Sequence, residues 1–438
     1  MGEGMSCFEL PSGLAQCITV AKPWIELVVG LLGIGTFALV AVLTWVVKRA
    51  RAENIRAEKA YDEALRDKQR AEQASRDTHQ ELGAMKYQLD LCRSAKLNES
   101  SELADKLESA LRQNEQLQSR INLVRLMTDD GDAGFWSSEP RPDRRLSNYA
   151  PRLGKSIPII MMAAQKGGVG KSTLSTNLGA CFADSGERVL VVDMDYQGTT
   201  SAQMMLHRDL RLGADQSRVD QLLQEQLRPH WQNAILHVNN NLHFLPAFYG
   251  LETLERREEY RWAIGDTQDD VRYRLARAML DDYVQATYTL VLIDAPPRMT
   301  LGFINAMCTS THLFVPTIVD SPSALAVGRF AQQFRRLVPK VNPFLSFAGI
   351  IGTMTNRGPE LPKVDKQVAD LTEAQASEEL DKSHALFPLF IREAVMQRDM
   401  PLARGAASGI AYWKEPTTQP IFKEIAKAIR SRVDRKTP

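Results

Sequence analysis

The alternation of apolar and polar positions changes character several times along the chain. Leu27 to Val47 contains no charged residue, and such a run is about long enough to cross a ~30 Å hydrocarbon core as a helix. Trp24 and Trp45 lie near its ends, where amphipathic rings suit the headgroup layer. From Ala50 to Met127 the chain is mostly polar, lacks proline, has the single glycine Gly83 and is dense in Ala, Glu, Lys, Arg, Gln and Leu, which predicts a long helix. Residues three and four apart form one register from Tyr61 to Cys92, and Leu107, Ala110, Asn114, Leu117, Ile121 and Val124 form a second. This reads as a coiled coil with a phase shift near Leu103, against the alternatives of a solvated single helix or a helical hairpin. Thr128 to Ser156 carries Asp129-Asp-Gly-Asp-Ala-Gly134 and then Pro140, Pro142 and Pro151, the composition of a flexible tether.

From Ile157 onward, short apolar runs alternate with helical patterns. Ile159–Ala163, Arg188–Asp193, Leu242–Pro246, Thr289–Asp294, Leu313–Pro316 and Ala348–Thr353 read as buried parallel strands, because a strand covered on both faces is apolar throughout instead of alternating. Strands regularly separated by helices predict an α/β domain with a doubly wound, mostly parallel sheet. The expected organisation is a short extracytoplasmic N-terminus (1–23), a transmembrane helix (24–47), a stalk (48–127), a tether (128–156) and an α/β domain (157–438).

Composition changes this picture little. With 44% apolar residues there is material for a large core, and 54 Lys+Arg against 53 Asp+Glu exclude a global field that would drive the chain onto nucleic acid. The five cysteines lack the paired short spacings of a zinc or iron–sulfur site; Cys7 and Cys17 are left open between a disulfide and two thiols. Local charge matters more. Lys48, Arg49, Arg51 and Arg56 follow the apolar run whereas Lys22 alone precedes it, which predicts a single-pass protein of the bacterial inner membrane with its α/β domain in the cytoplasm.

The candidate chemistry sits at strand ends. Lys166-Gly-Gly-Val-Gly-Lys-Ser-Thr173 follows an apolar strand and precedes a helical pattern, the context in which glycines let backbone N–H groups curl around phosphate at a helix N-terminus while a lysine neutralises it. The loop thus offers Gly167, Gly168, Val169, Gly170, Lys171, Ser172 and Thr173 for nucleotide binding. Val191-Val-Asp-Met-Asp-Tyr-Gln-Gly198 ends a strand in two carboxylates, and Leu290-Val-Leu-Ile-Asp-Ala-Pro-Pro297 ends another in Asp294. Carboxylates beside a phosphate loop can hold Mg2+ and orient water, as phosphoryl transfer requires.

A standard phosphate loop has glycine where this chain has Gln165, and Lys166 stands next to it. In this the sequence resembles the ParA/MinD family of dimeric ATPases, whose loops carry a second, signature lysine at that place. The resemblance covers most of the chain after Ile157 and neither the apolar run nor the stalk. It implies ATP and Mg2+ as cofactors, Lys166 reaching the nucleotide of the opposite subunit, Lys171 on the β- and γ-phosphates, Asp195 positioning the attacking water, Asp193 as an outer-sphere partner of magnesium, Ser172 and Asp294 at the metal, and Asn356 at the adenine. Tyr196 replaces the proline common in that element. It also implies a homodimer closed by an ATP sandwich, slow hydrolysis stimulated by a partner protein, and in many relatives non-specific DNA binding. Two basic clusters are candidates for that last role: Arg329, Arg335, Arg336 and Lys340, and the tail Ile421–Lys436, whose stripe Ile421, Ile425, Ile429 and Val433 equally predicts a helix packed on the domain. The reading is a membrane-anchored ATP-dependent switch that positions DNA or a protein complex. A bacterial tyrosine kinase and a coiled-coil interaction protein with a regulatory ATPase head are the alternatives, and the first lacks its usual C-terminal tyrosine cluster, the last tyrosine being Tyr412.

Overall fold

The structure is a computed structural model that describes residue 48, residue 66 and residues 68–70, 72–91, 100–129, 131–138, 149–210, 217–224, 231–355, 363–380, 388–397 and 400–434. Two compact units are separated, Met1–Glu108 and Ser109–Pro438. The helical reading of the stalk agrees with helix at 72–91 and over Ser100–Asp129; Leu117, on the expected seam, is exposed. The membrane localisation is corrected. Among the described residues no helix is long and apolar enough to cross a membrane, and Leu27–Val47, Cys7 and Cys17 lie outside the described residues.

The second unit is built on an eight-stranded sheet. Its strands are β1 (Ile159–Met162), β2 (Val189–Asp193), β3 (Leu236–His237), β4 (Leu242–Leu245), β5 (Leu290–Asp294), β6 (His312–Ile318), β7 (Ser346–Thr355) and β8 (Phe390–Gln397), in the order β3-β4-β2-β5-β1-β6-β7-β8. Every pairing is parallel except the edge pair β3/β4. All six predicted strands are present. The two additional strands are the short edge strand β3 and β8, whose Arg392 and Glu393 interrupt the apolar pattern. Sheet residues divide between two cores, with Ile159, Met161, Val192 and Ile293 in one and Ile160, Met162, Val191 and Leu292 in the other, as the period of two demands when helices cover both faces.

Six helices matter for the site: α1 (Lys171–Asp184), α2 (Thr199–His207), α3 (Tyr249–Ala263), α4 (Leu301–Thr309), α5 (Ser321–Val341) and α6 (Gln419–Val433). The last buries Phe422, Ile425, Ile429 and Val433. Arg430 meanwhile pairs with Glu187 and the buried Arg432 donates to the carbonyl of Ala348 at 2.8 Å. The predicted stripe is therefore a packing face, and part of the basic tail is tied to the domain.

Part of the predicted tether 128–156 is packed instead of free, while residue 130 and residues 139–148 lie outside the described residues. A short helix, Gly131–Trp136, places Phe135 and Trp136 in the core, and Leu153 of Tyr149–Leu153 is buried too. Burying one tryptophan and one phenylalanine is worth several kcal/mol by area, enough to hold a chain whose polar composition alone predicts freedom.

Candidate nucleotide-binding site

The order of the strands creates the site. The chain passes from β1 to β2 in one direction across the sheet and from β5 to β6 in the other, and a crevice at such a reversal lies at the carboxyl ends of the strands. Parallel register aligns those ends: Asp193 lies opposite Asp294, which lies opposite Met162, the last residue before the glycine loop. The loop turns through two left-handed glycines, Gly168 at φ 74° and Gly170 at φ 88°, and Gly170 is the N-cap of α1. A β-carbon at Gly170 would stand 2.6 Å from the Met396 methyl, the end of a flexible side chain that can shift, so it is the left-handed conformation that selects glycine there. Gly167 and Gly168 are exposed, Val169 is buried, and Thr353 on β7 ties the loop by donating to the Val169 carbonyl at 2.9 Å. Lys171, Ser172 and Thr173 open α1, where the helix dipole and free N–H groups favour an anion.

Electrostatics at these ends are poised for a cation. Burial pushes the Asp193 carboxyl well up, reinforced by the Asp294 charge, and its oxygens accept from Ser201 N at 2.9 Å, Ser201 Oγ at 2.7 Å and Asp195 N at 3.1 Å. Asp294 is likewise raised by burial, to about 6, against the pull of the Ser172 and Thr200 hydroxyls and of Lys171. Its Oδ2 accepts from Thr200 at 2.7 Å, whereas its buried Oδ1 has no hydrogen-bond partner. An unpaired buried carboxylate oxygen is costly, and beside Ser172 it is a donor of the kind that hard divalent cations take. Lys171 is buried, which lowers its pKa, while Asp294 and Asp195 act in the opposite direction. Asp195 is pushed up by burial and accepts from Gln197 N at 3.0 Å. The arrangement brings a phosphate cradle, an ammonium and three carboxylates to one edge, and Mg2+ with a nucleotide phosphate fits both its charge and its orphaned oxygen.

A family model described as an AAA domain matches residues 157–347. The chromosome partitioning protein ParA of Caulobacter vibrioides is 32% identical over 204 residues, which cover 46% of this chain and 71% of that protein. The chain belongs to the ParA/MinD family of P-loop ATPases. The sporulation initiation inhibitor protein Soj of Bacillus subtilis is 31% identical over 199 residues, covering 45% of this chain and 72% of Soj. In fold, a Cyanothece McdA–ATP complex covers 65% of this chain and 98% of its own at a TM-score of 0.50 and 14% identity.

In this ParA-type domain Lys166 is turned toward its own subunit. Its Nζ donates to Ser323 Oγ at 2.7 Å and lies 3.5 Å from Asp320 Oδ2, at the N-terminus of α5. Asp320 holds that helix end through Ser323 N at 2.7 Å. Asn356 lies outside the described residues. Sequence reasoning missed Thr200 and Ser201, the hydroxyls that hold Asp294 and Asp193, although the run Thr199-Thr-Ser201 directly after Gly198 is a signal for a polar helix start. It also missed Glu255 and Glu259 on α3. Glu255 accepts from Thr300 Oγ1 at 2.8 Å and Gly302 N at 2.6 Å, and Glu259 from Leu301 N at 2.7 Å. Together they fix the junction between the loop after Asp294 and α4.

Proposed function

We propose that the chain is a ParA-type ATPase that binds ATP with Mg2+ in this crevice and uses ATP-dependent dimerisation as a switch for positioning a partner. The observation that carries the reading is the register of β1, β2 and β5, which aligns Asp193 and Asp294 at the strand ends, with Lys171 of the glycine loop close enough to Asp294 and Asp195 to feel both charges. Lys171 holds the β- and γ-phosphates over the α1 N-terminus. Ser172 and Asp294 would hold Mg2+, directly or through water, with Asp193 behind them, and the ion would supply positive charge against the phosphates. Asp195 orients the attacking water. Its carboxyl is only partly buried, which leaves it reachable by water. Asn356 is assigned to the base, and Lys166 to the nucleotide of a second copy once released from Ser323 and Asp320.

Such a cycle makes dimerisation the output and hydrolysis its timer. The partner is a protein complex or DNA; Lys423 and Lys427 line an open cleft of about 470 Å3 with Arg430 on the face of α6, the basic surface to test for DNA. For the full chain with Mg·ATP, slow hydrolysis is expected, abolished by Lys171→Ala. Asp195→Ala should stop turnover and accumulate an ATP-dependent dimer in analytical ultracentrifugation. An ATP-bound Asp195→Ala chain that stays monomeric at tens of micromolar would sink the switch.

A further inference from the structure

Phe135 and Trp136 stand outside the site, yet one of them touches the loop that leaves it. Trp136 is 1% exposed, and its indole Nε1 donates to the carbonyl of Met299 at 2.8 Å. Met299 belongs to residues 295–300, the connection from Asp294 to α4. That connection is otherwise fixed at its far end by Glu255 and Glu259. A β-carbon on Gly302, at the start of α4, would lie 2.8 Å from the carbonyl of Met194, between Asp193 and Asp195, so α4 packs directly against the Asp193–Asp195 turn.

The short helix carrying Trp136 is itself clamped. Arg272, fully buried, donates to the carbonyls of Trp136 and Ser138, each at 2.7 Å, and pairs with Asp270 at 2.7 Å. Its guanidinium lies 5.2 Å from the centroid of the Trp262 ring on α3. The same helix lies against α5, whose N-terminus holds Lys166. A fully buried arginine is tolerated only where its donors are satisfied, and here two of its acceptors come from the segment that precedes the domain. Removing that segment would leave the guanidinium short of partners, so its docking is built into the domain.

We propose that Trp136 is a positioning residue for the loop 295–300, and that through it the docking of the Gly131–Trp136 helix, which follows Ser100–Asp129 in the chain, is coupled to nucleotide binding. The inference rests on the ATP reading above. Its physical content is one indole N–H on a carbonyl five residues after Asp294, together with a clamp that keeps the indole in place. A change in loop conformation that moves the Met299 carbonyl breaks or strengthens this bond. By reciprocity, any factor by which nucleotide alters docking of the helix is the factor by which docking alters nucleotide affinity.

Hydrogen exchange on the full chain, with and without Mg·ATPγS, tests this directly. Nucleotide should change exchange in 131–138 as well as in 166–173. Trp136→Phe keeps an aromatic ring in the core and removes the donor; it should shift the ATPγS dissociation constant about fivefold or more and diminish the nucleotide-dependent change in 131–138. A purely structural role would lower the melting temperature and leave both readouts unmoved. If 166–173 gains protection while 131–138 exchanges identically in both states, the coupling is wrong and the ATP reading stands. If 166–173 gains none, nucleotide binding itself fails, and the coupling falls with it.

Discussion

Glu255 is the residue whose chemistry departs furthest from what its surroundings in sequence announce. Burial pushes its carboxyl up to about 7, against the opposing hydrogen bonds from Thr300 and Gly302, whereas an unfolded glutamate titrates near ~4.3. Between those values the folded chain keeps a proton that the unfolded chain has released, so stability is greatest at the acid end of the window and falls as pH rises through it. The slope is at most ~1.4 kcal/mol per pH unit for one group. Glu255→Gln should flatten the fall in melting temperature between about pH 5 and 7, measured by calorimetry on the full chain, and an unchanged slope would remove Glu255 as its source. The glycine loop and the strand-end carboxylates are legible as positions because each is local in sequence: Lys166 to Thr173 is one turn of loop, and Asp193 ends β2 with Asp195 two residues on. Glu255 is not, since its partner Thr300 lies 45 positions away. Trp136 bonds a carbonyl 163 positions distant, and nothing in Gly134-Phe-Trp-Ser137 marks that partner.

At the level of elements, strand reading succeeded where burial on both faces makes a run uniformly apolar, as in Leu290–Asp294 and Val189–Asp193. It failed at β8, an edge strand whose exposed Arg392 reaches out to Asp370 and Glu373, each at 2.6 Å, so that a charge breaks the apolar run without being buried. The glycine loop tests whether conformation or mere smallness is required. Gly168→Ala meets no atom within 4 Å but must adopt φ 74°, whereas Gly170→Ala must adopt φ 88° and also displace the Met396 methyl. A left-handed alanine costs roughly 1–2 kcal/mol, so Gly168→Ala should weaken ATP binding by about tenfold and Gly170→Ala by more, with circular dichroism unchanged in both. Equal, near-wild-type affinities by calorimetric titration would show that the cradle does not use these conformations. On the face of the sheet that α1 also covers, α6 is held by its apolar stripe, and Ile425→Ala should cost about 2–5 kcal/mol of stability without altering ATP affinity in the chains that remain folded.

If ATP joins two copies, as proposed above, the question for the whole molecule is what keeps them apart beforehand. Lys166, the residue assigned to the partner's nucleotide, is engaged within its own subunit by Ser323 and Asp320. The strength of that engagement decides whether it is a lock or a rest. Lys166 and Asp320 are 38% and 40% exposed at a separation of 3.5 Å, and exposed pairs of this kind are worth ~0–1 kcal/mol after screening. The hydrogen bond from the Lys166 ammonium to the Ser323 hydroxyl is itself charge-assisted and adds about 1.5–3 kcal/mol. The sum is still small beside an ammonium on the several charges of a triphosphate in a closed, water-poor interface, where attraction is screened least. Lys166 should therefore leave Asp320 readily once a second ATP-bound copy presents its phosphates, and the internal contacts should only tune the threshold. Asp320→Ser retains an oxygen that can cap α5 while removing the charge. In an Asp195→Ala background it should tighten the ATP-dependent dimer by about threefold, corresponding to ~0.6 kcal/mol, whereas Lys166→Ala should abolish the dimer. Sedimentation across a concentration series reads both. A hundredfold gain from Asp320→Ser would make the contact a true lock, and a dimer that survives Lys166→Ala would remove this lysine from the interface altogether.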